Sequence, residues 1–210
     1  MSGRGPAQTR PRGVYAITPD EADDSRLLAR CEAVLGGGAS WLQYRNKAGD
    51  TTTRKRQAAL LLSLCRRHGV PLIINDDVKL AKAISADGVH LGADDGSISN
   101  ARRCLGEAAI IGASCYNRLE LAERAAAEGA SYVAFGAFHP SPTKPNAARA
   151  TPDLLQGSRQ LGLPRVAIGG INADNARPLI DAGADLIAVI SAVFDADDPE
   201  AATRRLAALF

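Results

Sequence analysis

The chain carries no large excess of charge of either sign: 25 Lys and Arg stand against 23 Asp and Glu, a net charge of +2 over 210 residues. That balance excludes a strongly basic nucleic-acid binder. No apolar run approaches the ~20 residues of a membrane span. The opening residues, MSGRGPAQTRPRG, hold Arg and Pro but no apolar core, so they do not read as a secretory signal. Residues 1–12 are expected to be a disordered leader. Cys31, Cys65, Cys104 and Cys115 form no CxxC pair and no metal-ligand spacing. Scattered thiols fit a reducing compartment, and the cytoplasm is the expected location. Neither nucleic acid nor a membrane is an expected partner. Small molecules are, and a homodimer stays open.

What is present is a soluble-protein composition, 46% hydrophobic and 23% charged, on a chain long enough for one α/β barrel of ~200–250 residues. The stretch 72–95, LIINDDVKLAKAISADGVHLGADD, organises the rest. An apolar run over 70–74 ends in Asn75-Asp76-Asp77, an amphipathic segment follows, and a second run over 89–91 ends in Gly92-Ala93-Asp94-Asp95. In a parallel strand–helix–strand unit both strand ends lie on one edge, so the two acidic clusters face the same space. Two carboxylates from neighbouring strands suit Mg²⁺, which leaves its other positions to water and phosphate oxygens. Each Asp could equally cap a helix, and Asp77 before Val78-Lys79-Leu80 fits a cap well.

The same alternation runs through the chain. Strands are predicted over 13–18, 41–44, 70–74, 89–91, 110–114, 132–135, 165–168 and 186–190. Helices are predicted over 25–35, 53–68, the segment after Asp77, 97–105, 119–128, 152–161, 172–182 and 199–209. A weak repeat marks the turns before strands two, four, six and eight: Gly38-Ala39-Ser40, Ala86-Asp87-Gly88, Gly129-Ala130-Ser131 and Gly183-Ala184-Asp185. Gly there is read as the helix C-cap that lets the chain reverse. Eight βα units over 13–210 predict one closed (β/α)₈ TIM barrel; an open flavodoxin-like sheet is the runner-up.

Barrel chemistry sits at the C-terminal ends of the strands. Those positions hold Gln43, Arg45 and Lys47, then Asn75 and Asp76, then Asp94 and Asp95, then Ser114. The long loop 136–151 carries Ser141-Pro142-Thr143-Lys144. Gly169-Gly170 opens helix seven and Ser191 follows strand eight, the two loops that usually form a barrel's phosphate site. Alternation does not say which of Gln43 and Arg45 points inward. Cations, carboxylates and a phosphate cradle at one mouth suggest two anionic groups, the second a pyrophosphate held partly through metal. His90, inside strand four, is expected to be packed core. Tyr15 and Tyr116 could flank a flat heterocycle or simply pack.

In order, GVYAIT, LQYRNK, INDD, GVHLGADD, IGAS, GAFHPSPTK, IGGI and AVISAV resemble the thiamine phosphate synthase family over nearly all of 13–193. The resemblance implies a (β/α)₈ barrel joining hydroxymethylpyrimidine diphosphate to a thiazole phosphate, with release of pyrophosphate. It implies that Gln43, Arg45, Lys47, Asn75 and Lys144 hold the pyrimidine diphosphate, and that Asp76 and Asp95, rather than Asp94 or Asp77, bind Mg²⁺. Ser114 would meet the pyrimidine or its leaving group. Ser141, Pro142 and Thr143 would line the thiazole phosphate side, with Gly170, Ile190 and Ser191 cradling its phosphate. Arg45, Lys47, Ser114 and Lys144 would carry the catalysis. Ser141 and His139 depart from the residues common in the family. The alternatives are the sister barrel family that tautomerises the thiazole phosphate, a non-catalytic phospho-ligand barrel, and a Schiff-base aldolase using Lys47 or Lys144.

Overall fold

A computed structural model describes residues 10–140 and 149–210. Eight parallel strands close in sequence order, β1 Gly13–Ile17, β2 Ala39–Tyr44, β3 Leu72–Asn75, β4 Gly88–Leu91, β5 Ile110–Tyr116, β6 Tyr132–Phe135, β7 Arg165–Ile168 and β8 Leu186–Val189, with β8 pairing back onto β1. The (β/α)₈ barrel is therefore the fold, and the open sheet is excluded because a closed sheet has no edge. The strands are short apolar runs buried on both faces, as parallel strands wrapped by helices must be.

Around them run α1 Asp24–Gly36, α2 Thr51–His68, α3 Val78–Ile84, α4 Ile98–Leu105, α5 Leu119–Ala127, α6 Asp153–Gly157, α7 Arg177–Asp181, α8 Ser191–Phe194 and α9 Pro199–Ala207. Side-chain caps start several of them: Asp23, Asp50, Asp77, Ser97 and Asp198 each accept from a backbone N–H three residues on. Nine α-helices among the described residues exceed the eight expected because α8 follows β8 directly. The helix predicted over 152–161 is split, its second half a 3₁₀ turn at Ser158–Leu161. The helix predicted over 172–182 starts only at Arg177. Asn172 spends its side chain on the N–H groups of Asp174 and Asn175 instead, an Asx turn that competes with helix.

One glycine of the turn repeat is no cap. Ser85 ends α3 in the left-handed conformation, while Gly88 is a strand residue pressed against the Ile110 carbonyl. Inside the barrel, the chain's one Trp and two of its Tyr fill the axis: Tyr15, Trp41 and Tyr132 meet edge to face at centroid distances of 5.0–5.9 Å. Gly112 on β5 makes room for them, since a Cβ there would lie 2.0 Å from the Tyr132 ring. Gly112→Ala is expected to destabilise the fold by at least the ~1–3 kcal/mol of an overpacked core. A urea-unfolding midpoint equal to wild type would contradict this packing.

Of the expected leader, residues 1–9 lie outside the described residues, whereas Arg10 pairs with Asp185 at 2.9 Å. Ser141, Pro142, Thr143 and Lys144 also lie outside them. Among the described residues no helix is long and apolar enough to cross a membrane.

Candidate active site

The C-terminal mouth of the barrel opens into a cavity of about 350 Å³. Its walls include Gln43 and Arg45 from β2 and its loop, Asn75 from β3, His90 from β4 and Ser114 from β5. Gly170, Ile190 and Ser191 close it from the β7 and β8 side. Seven residues expected from sequence thus share one space. A second cavity of about 60 Å³ adjoins it through Asn75 and is lined by Lys47, Arg54 and Asp76.

The β2 end is held by buried hydrogen bonds. Thr18 and Arg45 exchange two of them, Thr18 Oγ1 donating to the Arg45 carbonyl at 2.8 Å and accepting from its N–H at 2.9 Å. Asn46 Nδ2 donates to the Glu21 carbonyl and to Gln57 Oε1, which also accepts from the Tyr44 hydroxyl. Asp20 accepts from the Lys47 N–H at 2.6 Å and pairs with the Arg45 guanidinium at 3.2 Å. Gln43, 2% exposed, points into the barrel and Arg45 leaves the strand at the rim, which resolves the alternation.

At the β3 end the chain reverses sharply through Asp76, whose φ of +62° is unusual for a residue with a side chain. Its N–H donates to the His90 carbonyl at 2.8 Å, tying the reversal to β4. Asp77 then caps α3, accepting from the Leu80 N–H at 2.8 Å. Asp95 accepts from the Gly92 N–H and stands beside Asp76. Burial, then the neighbouring Asp95 carboxyl, push Asp76 above the usual carboxylate range, with Lys47 3.5 Å away opposing them. Two crowded carboxylates relieved by a cation form a hard-oxygen donor pair that fits Mg²⁺. Among the described residues no three His, Cys, Asp or Glu side chains form a closed metal cage. Mg²⁺ needs none, because water and phosphate oxygens complete its shell.

Across the barrel, Gly170 has φ +62°, and a Cβ there would lie 2.3 Å from the Pro140 carbonyl oxygen. Asn175 Nδ2 donates to the Gly170 carbonyl at 3.0 Å and holds the turn. Ser191, exposed, begins α8 at the cavity wall.

At three positions the structure adds to the sequence: one expectation is corrected, one open choice is decided and one residue is new. His90 is not plain core: its ring is half-buried at the cavity floor, with Nδ1 2.9 Å from the Tyr132 hydroxyl and Nε2 2.9 Å from Ser114 Oγ. Tyr15 does not flank the cavity and is 1% exposed below it, while Tyr116, 41% exposed, lines the mouth. Arg54, on the first turn of α2, joins the site beyond the residues expected from sequence. Its Nε is buried without a hydrogen-bond partner among the described residues, beside Lys47 and Asp76. A basic residue one turn after the Asp50 cap was the available signal for it.

The thiamine monophosphate synthase family profile matches residues 14–193. A thiamine-phosphate synthase of Chromobacterium violaceum is 60% identical over 201 residues, 96% of this chain and 97% of that one. One of Thiobacillus denitrificans is 58% identical over 204 residues, 97% of each. A thiamine phosphate pyrophosphorylase structure from Pyrococcus furiosus superposes with a TM-score of 0.80 at 35% identity, covering 94% of both chains.

Proposed function

The chain belongs to the thiamine monophosphate synthase family, and from that premise we propose that it joins 4-amino-2-methyl-5-hydroxymethylpyrimidine diphosphate to a thiazole phosphate. The products are thiamine phosphate and pyrophosphate. The enzyme is a transferase of a pyrimidinylmethyl group. The observation that carries the reading is a barrel mouth, formed by the main cavity and the smaller one adjoining it through Asn75, with anion-directed groups on opposite sides. Arg45, Lys47 and the Asp76–Asp95 pair stand at β2–β4; Gly170, Ile190 and Ser191 stand at β7–β8.

In this reading Asp76 and Asp95 hold Mg²⁺, which when bound supplies charge neutralisation to the diphosphate. Arg45 and Lys47, with Lys144 by family resemblance, bind the diphosphate and stabilise the charge it gains on leaving. The bond from the methylene carbon to the diphosphate oxygen breaks with its electron pair going to oxygen. The thiazole nitrogen supplies the pair for the new carbon–nitrogen bond, so no proton is moved. The Ser114 hydroxyl and the His90 ring, 2.9 Å apart, are therefore not needed as a nucleophile and its base. The apolar wall formed by Ile168, Ile171 and Ala188 keeps water from a cationic methylene. The family resemblance assigns Ser141, Pro142 and Thr143 to binding the thiazole phosphate, and alignment of the two substrates supplies much of the rate. The crowded carboxylate pair favours this reading over the tautomerase, which has no diphosphate to neutralise.

The test is direct. Purified protein with both phosphorylated substrates and Mg²⁺ is expected to yield thiamine phosphate and pyrophosphate in equal amounts. Consumption of neither substrate would overturn the reading.

A further inference from the structure

Below the cavity five polar groups form one unbroken line across the barrel axis. Gln43 Nε2 donates to the Tyr15 hydroxyl at 2.7 Å, Tyr15 and Tyr132 hydroxyls are 2.8 Å apart, and the line continues through His90 to Ser114 at 2.9 Å per step. Both ends, Gln43 and Ser114, line the cavity; Tyr15 and Tyr132 do not. His90 is stacked on Tyr132 at 5.5 Å, so the ring cannot turn without disturbing the axis packing.

The donors in this line can be ordered. Burial pushes both tyrosine hydroxyls well above their usual range, so each keeps its proton. The Tyr15 oxygen already accepts from Gln43, and its only other hydrogen-bond partner among the described residues is Tyr132. If Tyr132 donated to Tyr15, the buried Tyr15 proton would have no acceptor, an arrangement that costs free energy. Tyr15 therefore donates to Tyr132, and Tyr132, having one proton, donates to His90 Nδ1. The imidazole proton is then on Nε2 and is donated to Ser114 Oγ. Ser114 has its own proton left to give. The Gln43 carbonyl, which makes no hydrogen bond among the described residues, is left to accept.

We propose that His90 is a positioning residue, locked by Tyr15 and Tyr132 as the Nε2–H tautomer, and that this line sets the hydrogen-bond polarity of the cavity: an acceptor at Gln43 and a donor at Ser114. Resting on the function proposed above, it explains the choice of an aminopyrimidine. The exocyclic amine gives a proton to Gln43, and the ring nitrogen across the ring accepts one from Ser114. A 4-oxo analogue offers a carbonyl where the amine should be and leaves the Gln43 carbonyl facing a second acceptor.

Two measurements test this. Long-range ¹⁵N–¹H correlations of the His90 ring in the free protein, taken well above the imidazole titration range, are expected to report Nε2–H. An Nδ1–H tautomer would overturn the proposal, whatever the reaction proves to be. Tyr132→Phe keeps the ring and removes the relay without touching substrate. It is expected to raise KM for the pyrimidine diphosphate roughly tenfold, as for one lost hydrogen bond in a buried site. It is also expected to leave KM for the thiazole phosphate unchanged and to shrink the preference for the amino over the oxo analogue. Wild-type KM and preference in Tyr132→Phe would overturn the relay even where wild-type protein makes thiamine phosphate. Should that variant fail to fold, the tautomer measurement on wild-type protein still decides.

Discussion

EDTA is expected to abolish turnover, and Asp76→Ala and Asp95→Ala are each expected to lower kcat by roughly 10²–10³-fold, as for one lost electrostatic group at developing charge. Mg²⁺ at high concentration should not restore either variant fully. The physical basis is the crowding of the two carboxyls, the raised affinity of Asp76 for a proton and the left-handed backbone that aims it at the mouth. A stability readout separates this from simple damage. Because the folded protein holds the Asp76 proton more tightly than the unfolded chain does, ionised Asp76 is a stability cost. The cost is absent below the unfolded carboxylate pKa and grows as pH rises through the folded one. At neutral pH in EDTA, Asp76→Asn should therefore melt at or above the wild-type temperature while remaining inactive. Added Mg²⁺ should raise the wild-type melting temperature and leave Asp76→Asn unmoved. Asp77→Ala, one residue on, should keep its kcat and lose only about 1 kcal/mol as a missing cap. Full Mg²⁺-dependent activity in a protein lacking both Asp76 and Asp95 would sink the assignment.

Ser191→Asp is expected to raise KM for the thiazole phosphate by roughly 5–1,000-fold. Two like charges 4 Å apart repel by about 1 kcal/mol in water and about 4 kcal/mol near a protein surface. The side chain is exposed at the first residue of α8, where a carboxylate suits the helix, so the variant should fold. KM for the pyrimidine diphosphate, bound across the barrel, should change little. The neighbouring glycine is a poorer probe. Any side chain at Gly170 runs into the Pro140 carbonyl, so Gly170→Asp would mix repulsion with misfolding. Equal effects of Ser191→Asp on both substrates would mean that the two ends of the cavity are assigned the wrong way round.

The sequence by itself determined the barrel. Eight short apolar runs alternate with capped amphipathic segments, and Asp50, Asp77 and Ser97 announce their helices through hydrogen bonds to N–H groups only three residues away. It also determined which residues gather at the mouth, because the C-terminal end of every parallel strand lies on one edge. What it left open is what lies inside. A parallel strand wrapped by helices is apolar on both faces, so alternation cannot say that Gln43 turns inward, that Tyr15 drops below the cavity, or that His90 rises into it. The first turn of helix seven is missing for a related reason, since Asn172 can cap a helix or fold back on its own turn, and here it takes the turn, so that α7 begins only at Arg177. The line from Gln43 to Ser114 draws its five groups from five strands of the barrel, and two of them, Tyr15 and Tyr132, stand 117 positions apart in the sequence. It exists only because the β5–β6 register sets Gly112 beside Tyr132 and leaves room for that ring, while closure of the sheet brings the β1 and β6 side chains together on the axis.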